Sequence, residues 1–199
     1  MVVAVTSPIA FQPLLQESIL NAALLTARAF TTETGIPAHL AIATLDATKV
    51  AHFGCEILEC DPNQPGALAA AIKGAAQCDL VAIHDSQRPL TCTTQFHRAL
   101  AALIAGVDAV RPASAFTETL KVINADATIE RTIERTSILR IATPEIIRFS
   151  AIDFAGSSST WFVPLKTDAK QATVAADPES FRVNSLAEIA LAQTLAQLN

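Results

Sequence analysis

Short apolar runs alternate along the first half of the chain with longer segments in which apolar residues recur at helical spacing. The short runs predict strands and the longer segments predict amphipathic helices. The predicted strands are 2–5, 39–44, 56–58, 79–84 and 108–112, and the predicted helices are 17–30, 67–76 and 93–105. Gly106 is expected to cap the third helix. This alternation predicts an α/β fold with a mostly parallel sheet, helices on both faces and right-handed crossovers.

Residues 116–142 interrupt this alternation. Thr, Ile and Val recur there with a rough period of two, and Asn124-Ala125-Asp126 supplies a turn, which together predict a β-hairpin. A two-stranded ribbon is marginally stable alone. The segment is therefore interpreted as a projecting dimerisation arm, with an ordinary edge hairpin folded on its own domain as the alternative.

The last third of the chain carries weaker signals. Thr143-Pro144-Glu145 predicts the start of a helix, with proline at or near its first position. Residues 156–160 predict a flexible loop, 161–165 a short strand and 166–176 a polar loop. A final helix is predicted at 185–198, where Ser185 and Glu188 have the spacing of a capping box.

Composition narrows the class of protein. The 199 residues are 51% hydrophobic and 17% charged, which predicts one folded domain, 1–199, with an ample core. The net charge of −5 and the lack of a basic patch argue against a nucleic-acid partner, so any phosphate ligand needs local cations. Four cysteines without a CxxC pair argue against a metal site. Without a signal peptide or a long apolar run, a cytoplasmic protein with no membrane partner is expected.

The stretch DLVAIHDSQRP, from Asp79 to Pro89, carries the clearest candidate chemistry. Its apolar strand ends in Asp85, and Arg88 follows three residues later. Strand ends in open α/β sheets are where ligands bind. A carboxylate and a guanidinium there could face one polar substrate, or Mg²⁺ and a phosphate. On these residues alone, a strand followed by a salt-bridged turn is the open alternative.

Several stretches stand in a familiar order, namely GALAAAIKGAAQCDLVAIHD, VAIHDSQRP, FTETLKVIN, IERTSILRIATPE and DPESFRVNSLAEIALAQTLA. In this order they resemble the 2-C-methyl-D-erythritol 4-phosphate cytidylyltransferase family of isoprenoid biosynthesis. The resemblance implies a Rossmann-like nucleotidyltransferase fold with a projecting β-arm. It also implies that IERTSILRIATPE leads into a helix, and that DPESFRVNSLAEIALAQTLA holds a strand and a helix.

The resemblance also implies an activity, the transfer of CMP from CTP to 2-C-methyl-D-erythritol 4-phosphate with Mg²⁺ and release of pyrophosphate. Asp85 would accept hydrogen bonds from the sugar-alcohol hydroxyls, and Arg88 would help to hold that end of the substrate. Thr119 and Arg135, on the arm, would reach a phosphate, and in the family the arm's arginine serves the site of the neighbouring subunit of a homodimer. Arg182 stands where the family has a catalytic lysine. For each residue, a surface or arm salt bridge is the alternative reading.

The chain departs from the family pattern after the first strand. There the family has a glycine-rich loop with an arginine and then a lysine, whereas TSPIAFQPLL contains none of these. Gln64 and Ala67 occupy the places of a family arginine and serine. The family's threonine–acid motif is not visible between Pro144 and Arg182, and GSSST does not replace it.

Three functions therefore remain open from the sequence. One is a working cytidylyltransferase, or a relative with another nucleotide or sugar phosphate. It would need compensating cations, for which the candidates are Lys49, Lys73, Lys166 and Arg182. The second is a catalytically degenerate homodimeric paralogue with a binding or regulatory role. The third is an unrelated small-molecule-binding α/β domain.

Overall fold

A computed structural model of the chain describes residues 1–75, 78–156 and 162–198. The described residues form twelve strands: β1 (Val2–Ala4), β2 (Pro13–Leu14), β3 (Glu17–Ser18), β4 (Ala41–Thr44), β5 (Glu56–Glu59), β6 (Leu80–Asp85), β7 (Ala109–Ala115), β8 (Leu120–Ile123), β9 (Ile129–Ile133), β10 (Leu139–Ile141), β11 (Glu145–Arg148) and β12 (Gln171–Ala175). They also form four α-helices: α1 (Ile19–Glu33), α2 (Pro65–Ala75), α3 (Thr93–Ala101) and α4 (Leu186–Ala196).

Eight of these strands form one mostly parallel sheet, as the alternation predicts. Along one path the strand order is β10-β7-β11-β6-β1-β4-β5, and β12 also pairs with β7. The pairs of β1 with β4 and β6, of β4 with β5 and of β12 with β7 are parallel. Strands β10 and β11 run antiparallel to their neighbours. The fold is therefore a doubly wound α/β sheet, confirming the predicted class.

The two faces of the sheet are covered by different helices, because alternate strand residues point to opposite sides. Val3 and Ile42 pack against α1 on one face. Val2, Ala4 and Leu58 pack against α2 on the other. Helix α3 packs beside α1. Burial on both faces explains why the central strands are continuous apolar runs in the sequence. None of the helices in the described ranges is long and apolar enough to cross a membrane.

The predicted hairpin is present within residues 116–142. Strands β8 and β9 pair antiparallel as a separate two-stranded sheet, and a turn from Asn124 to Thr128 joins them. Most of the hairpin is exposed in the single chain, including Ile123 and Ile129. Strand β10 then returns to the main sheet beside β7.

The prediction of a helix after Thr143 is wrong. Residues Glu145–Arg148 form β11, which lies antiparallel between β6 and β7. Ile146 and Ile147 are adjacent and both fully buried, one against each face of the sheet. Two neighbouring buried residues suit a central strand better than an amphipathic helix, whose apolar positions recur every three or four residues.

Four further predictions concern segments outside the main helices and strands, and three of them are wrong at least in part. The polar loop at 166–176 is wrong in part, because Gln171–Ala175 is strand β12. The short strand at 161–165 is wrong in its described part, where Leu165 makes only an isolated bridge to Ile152. Helix α3 ends at Ala101, so Gly106, with a φ of 81°, lies in a later turn and is not its cap. The flexible loop predicted at 156–160 falls outside the described residues beyond position 156.

The final helix is confirmed, but the strand implied before it is absent in the described residues 177–185. Ser185 Oγ accepts a hydrogen bond from Glu188 N at 3.2 Å. The Glu188 carboxylate accepts one from Asn184 N at 2.7 Å. The arrangement differs from the predicted capping box in one bond, because the Glu188 carboxylate binds the amide of Asn184 and not that of Ser185. It fixes the position at which the chain turns after Arg182.

Candidate functional site

The candidate site lies at the carboxyl ends of β1 and β6. The chain runs from β1 to β4 and β5 on one side and then crosses to β6 on the other side of β1. The strand order therefore reverses between β1 and β6, which is the switch point where open α/β sheets bind ligands. Thr6 follows β1 at this edge, and Asp85 is the last residue of β6.

Asp85 is fully buried and its carboxylate has several donors around it. Its Oδ1 accepts from Gln87 N at 3.0 Å and lies 3.3 Å from Thr6 Oγ1. Its Oδ2 accepts from Arg182 Nε at 2.6 Å. A buried carboxylate needs such partners, because an isolated buried charge is very costly. The structure thus brings together Asp85 and Arg182, two of the residues predicted for the site.

The guanidinium of Arg182 is held by four side chains. Besides Asp85, its Nη2 donates to Gln87 Oε1 at 2.6 Å and to Thr6 Oγ1 at 2.8 Å, and its Nη1 donates to Asn184 Oδ1. The Arg182 side chain is 31% exposed. Arg182 is therefore held as the cation of an ion pair with Asp85 and does not form a cationic cradle.

Thr6 and Gln87 are site residues that the sequence reasoning missed. Gln87 stands in the motif DSQRP, but nothing local to it indicates a contact with a residue near position 182. Its amide Nε2 donates to Val183 O at 2.5 Å, and its backbone oxygen accepts from Val183 N at 2.8 Å. Contacts between segments so distant in sequence leave no periodic or motif signal.

Arg88 lies at the site but binds the protein itself. Its Nη2 donates to Ile141 O at 3.0 Å, and its Nη1 donates to Ser180 O. Burial lowers the pKa of Arg88 to about 10, an effect that Asp85 opposes and that the charge of Arg182 reinforces. The expected contact of Arg88 with a substrate stays a prediction, because its observed bonds connect β10 with the segment before Arg182.

His84 is buried behind Asp85 on the opposite face of β6. Its Nδ1 lies 2.9 Å from Thr143 Oγ1, and the same hydroxyl accepts from Asp85 N at 3.2 Å. Burial lowers the pKa of His84 to about 3, and the charge of Arg88 adds to this effect. His84 is therefore neutral at physiological pH, and it supports the backbone of Asp85 through Thr143.

Thr119 and Arg135 lie on the hairpin segment, as predicted, and both are exposed. Arg135 Nη1 donates to Thr117 O at 2.5 Å, so this contact stays within the hairpin segment. Their expected contact with a phosphate stays a prediction, as does the expected reach of Arg135 into the site of a second subunit.

The segment after β1 differs from a phosphate-binding loop. Residues Pro8–Phe11 form one 3₁₀ turn that Ser7 caps. Its amides are used internally, since Ala10 N donates to Ser7 O and Gln12 N to Ile9 O. A phosphate cradle requires several backbone N–H groups turned towards the ligand. This turn therefore supports the expectation that the glycine-rich cradle is missing.

One of the proposed compensating cations does reach this segment. Lys49 Nζ lies 5.7 Å from the centre of the Phe11 ring and 3.2 Å from Asp46 Oδ2. Lys73 lies instead over the ring of Phe154, at 5.2 Å. Of the candidate cations, Lys49 therefore lies over Phe11 in the segment after β1, and Arg182 contacts both Thr6 in that segment and Asp85 at the end of β6.

A cavity of about 550 Å³ lies at the opposite, amino-terminal edge of the sheet. Apolar residues of the strands form its floor, and His39, Glu56 and Asp79 are among the polar residues that line it. Doubly wound sheets bind their ligands at the other edge. We therefore assign the candidate site to the switch point.

The model of the 2-C-methyl-D-erythritol 4-phosphate cytidylyltransferase family matches residues 62–187. This match covers more than half of the chain and includes Asp85, Arg88, Thr119, Arg135 and Arg182. The chain belongs to this cytidylyltransferase family. The matched range begins after the segment that follows β1, which is the part of the chain that departs from the family pattern.

Relatives in the cytidylyltransferase family match parts of this chain. A bifunctional IspD/IspF enzyme of Oleidesulfovibrio alaskensis is 36% identical over 77 residues, 39% of this chain and 19% of that protein. The 2-C-methyl-D-erythritol 4-phosphate cytidylyltransferase of Nocardia farcinica is 29% identical over 134 residues, 63% of this chain and 57% of that protein. The chain spans less than two thirds of the length of these relatives.

Solved structures of cytidylyltransferases share the fold along nearly the whole chain. The enzyme of Thermus thermophilus has a TM-score of 0.78 at 20% identity, covering 99% of this chain and 98% of that one. The synthase of Anaerococcus prevotii has a TM-score of 0.77 at 17% identity, covering 98% and 96%. At such identities the likeness shows the fold alone, and it confirms the predicted nucleotidyltransferase architecture.

Proposed function

We propose that the chain is a cytidylyltransferase that moves CMP from CTP to 2-C-methyl-D-erythritol 4-phosphate. The observation that carries this proposal is the buried Asp85 paired with Arg182 at the β1/β6 switch point, in a chain that belongs to the family. Asp85 is the buried anion that holds Arg182, and the partly exposed Arg182 is a cation beside the place where phosphate charge would develop.

The proposed reaction depends on positioning and on neutralising charge at the transferring phosphate. Arg182 is the cation at the end of β6 and Lys49 is the cation beside the segment after β1, and each is paired with an aspartate. Mg²⁺ would enter with the nucleotide, because this ion is often bound by one or two carboxylates and by substrate phosphates. The described residues contain no group of three His, Cys, Asp or Glu side chains that could hold a metal.

A second candidate function is a non-catalytic, homodimeric binding protein. The turn Pro8–Phe11 favours it, because its amide groups bond internally and the segment carries no cation of its own. Charge-assisted contacts contribute about 1.5–3 kcal/mol each, so the loss of a cradle should weaken triphosphate binding greatly.

The direct test is pyrophosphate release from CTP, 2-C-methyl-D-erythritol 4-phosphate and Mg²⁺. We expect turnover by the native protein and a loss of at least about 100-fold in Asp85→Ala, since the variant removes the anion that holds Arg182 in place. Asp168→Ala is a control for the loss of a carboxylate away from the site, because Asp168 is exposed and precedes β12, near the amino-terminal edge of the sheet. A folded native protein that releases no pyrophosphate, and that binds CTP without turnover in calorimetry, would establish the second candidate instead.

We also propose that the active form is a homodimer in which the hairpin β8–β9 packs on a second copy. Ile123 and Ile129 face each other across the hairpin and are 63% and 64% exposed in the single chain. A two-stranded ribbon with exposed isoleucines gains stability by covering them. Dimerisation would also bring Thr119 and Arg135 towards the site of the other subunit.

A further inference from the structure

We infer that Gln87 is a positioning residue that holds the guanidinium of Arg182 in one orientation beside Asp85. The inference rests in part on the proposed function, since Arg182 would act on the substrate phosphate. The geometry that supports it is independent of the reaction. Gln87 is 1% exposed and follows β6 within the turn that also contains Asp85.

Three contacts fix the orientation of the Gln87 amide. Its Oε1 accepts from Arg182 Nη2 at 2.6 Å and from Thr6 Oγ1 at 2.9 Å, while its Nε2 donates to Val183 O at 2.5 Å. A flipped amide would turn its NH₂ group towards the guanidinium and its oxygen towards the Val183 carbonyl. Both contacts would then be repulsive, so the amide has one favourable orientation.

Gln87 holds the backbone that carries Arg182 as well as its side chain. The Gln87 carbonyl accepts from Val183 N at 2.8 Å, and the side-chain amide binds Val183 O. Val183 is the next residue after Arg182 and is fully buried. The base of the Arg182 side chain and its terminal group are therefore both fixed by one residue.

The orientation of Arg182 matters for a ligand because few of its N–H groups are available to bind one. A guanidinium has five N–H groups. One donates to Asp85, two on Nη2 donate to Gln87 and Thr6, and one on Nη1 donates to Asn184. Within the part of the chain that the structure describes, this leaves a single Nη1 hydrogen for an anion. The orientation that Gln87 imposes thus decides which edge of Arg182 a phosphate oxygen can meet.

The first test does not need activity. Hydrogen exchange at Arg182 Nε–H is measured by NMR, with the signal assigned from its loss in Arg182→Lys. We expect Gln87→Met to raise the exchange rate about tenfold, because a charge-assisted hydrogen bond to the guanidinium is lost. Gln95→Met is the matched control. Gln95 is also a buried glutamine whose amide binds backbone groups, at Thr143 O and Asp177 N, but it does not contact Arg182.

A milder variant covers the case in which Gln87→Met does not fold. Thr6→Val keeps the side-chain shape but removes the hydroxyl that joins Gln87 Oε1 and Arg182 Nη2. We expect roughly a threefold rise in the exchange rate at Arg182 Nε–H. An unchanged rate in the folded Gln87 variant, or in Thr6→Val if the Gln87 variant does not fold, would overturn the inference, as would an equal rise in Gln95→Met.

Kinetics then separate positioning from a purely structural role. If the native protein releases pyrophosphate, Gln87→Met should lower kcat at least about tenfold and change the KM for CTP less than threefold, because a misplaced group mainly affects the transition state. Gln95→Met should leave both values within twofold once the folded fraction is corrected. Equal kinetic losses in the two variants would contradict the positioning role. If the native protein releases no pyrophosphate, that result counts against the proposed function alone. The hydrogen-exchange measurement at Arg182 Nε–H still tests the positioning role of Gln87.

Discussion

Arg182 donates from Nε to the carboxylate of Asp85 at 2.6 Å, joining two residues that are 97 positions apart in the sequence. Asp85 is completely buried, whereas Arg182 remains partly exposed. The pair connects the carboxyl end of a central strand with the segment that leads into the last helix. Its removal should therefore affect both the stability of the fold and the charge of the candidate site.

Arg182→Met should lower the free energy of unfolding by about 3 kcal/mol, because it leaves the Asp85 carboxylate buried without its cation. Urea denaturation measures this loss. The double variant Arg182→Met/Asp85→Asn should recover part of it, since no unpaired buried charge remains. Lys49→Met provides the control, because Lys49 makes an exposed pair with Asp46 that should contribute less than about 1 kcal/mol. Equal losses in Arg182→Met and Lys49→Met would contradict this account.

The neutral His84 predicts a loss of stability in acid. Its folded-state pKa of about 3 lies below its ordinary value of 6.5, so the unfolded state binds the proton first as the pH falls. Stability should therefore be retained above pH 6.5 and lost progressively between pH 6.5 and 3. From pH 7 to 5, the native protein should lose about 2 kcal/mol more than His84→Asn does. Parallel denaturation curves for the two proteins at both pH values would rule out this contribution.

A second buried pair, Arg111 with Glu145, ties β7 to β11, and Arg111 also donates to Gln171 in β12. Burial raises the pKa of Glu145, and Arg111 opposes that shift. Arg111→Met should destabilise the fold by about 3–5 kcal/mol at pH 8. The loss should shrink towards pH 5, because a carboxyl with a raised pKa takes up a proton in the folded state.

The control for this prediction is Arg140→Met, since Arg140 is an exposed arginine on the neighbouring strand β10. It should change the stability by less than about 1 kcal/mol at either pH. A loss in Arg111→Met that stays constant from pH 8 to 5 would show that Glu145 does not take up the proton.

The proposed dimer predicts a specific response to one substitution. The native protein should sediment as a dimer at micromolar concentration, and Ile129→Asp should shift it to a monomer by placing a charge in the covered patch. Ile104→Asp is the matched control, because Ile104 is 63% exposed but lies after α3, away from the hairpin. A monomeric native protein, or equal shifts in both variants, would contradict the proposal.

The sequence predicted the elements whose signals are local. Strong apolar runs gave β1, β4 and β6, and the spacing of Ser185 and Glu188 gave the start of α4. It missed β11, because Thr143-Pro144 is equally typical of the start of a helix. The segment forms a strand because it pairs with β6 and β7, which its own sequence does not indicate. It also missed β12, whose residues alternate between exposed and half-buried positions beside β7 without large apolar side chains.

The residues of the candidate site differ in the same way, because some have a local sequence signal and others have none. Asp85 could be found because it ends an apolar strand, and strand ends in such sheets bind ligands. Arg182 came only from the resemblance to a family. Thr6 and Gln87 could not be found, because their role consists of contacts with Arg182 that form only after residues from both ends of the chain meet.

The insertion of β11 between β6 and β7 sets a distance at the edge of the sheet. Neighbouring strands are about 4.8 Å apart, so the end of β6 and the strand that leads into the hairpin are separated by roughly 10 Å. A molecule that touched Asp85 and the base of this chain's own hairpin would have to bridge that width. The sheet thus sets a minimum length of roughly 10 Å for any ligand that contacts both places.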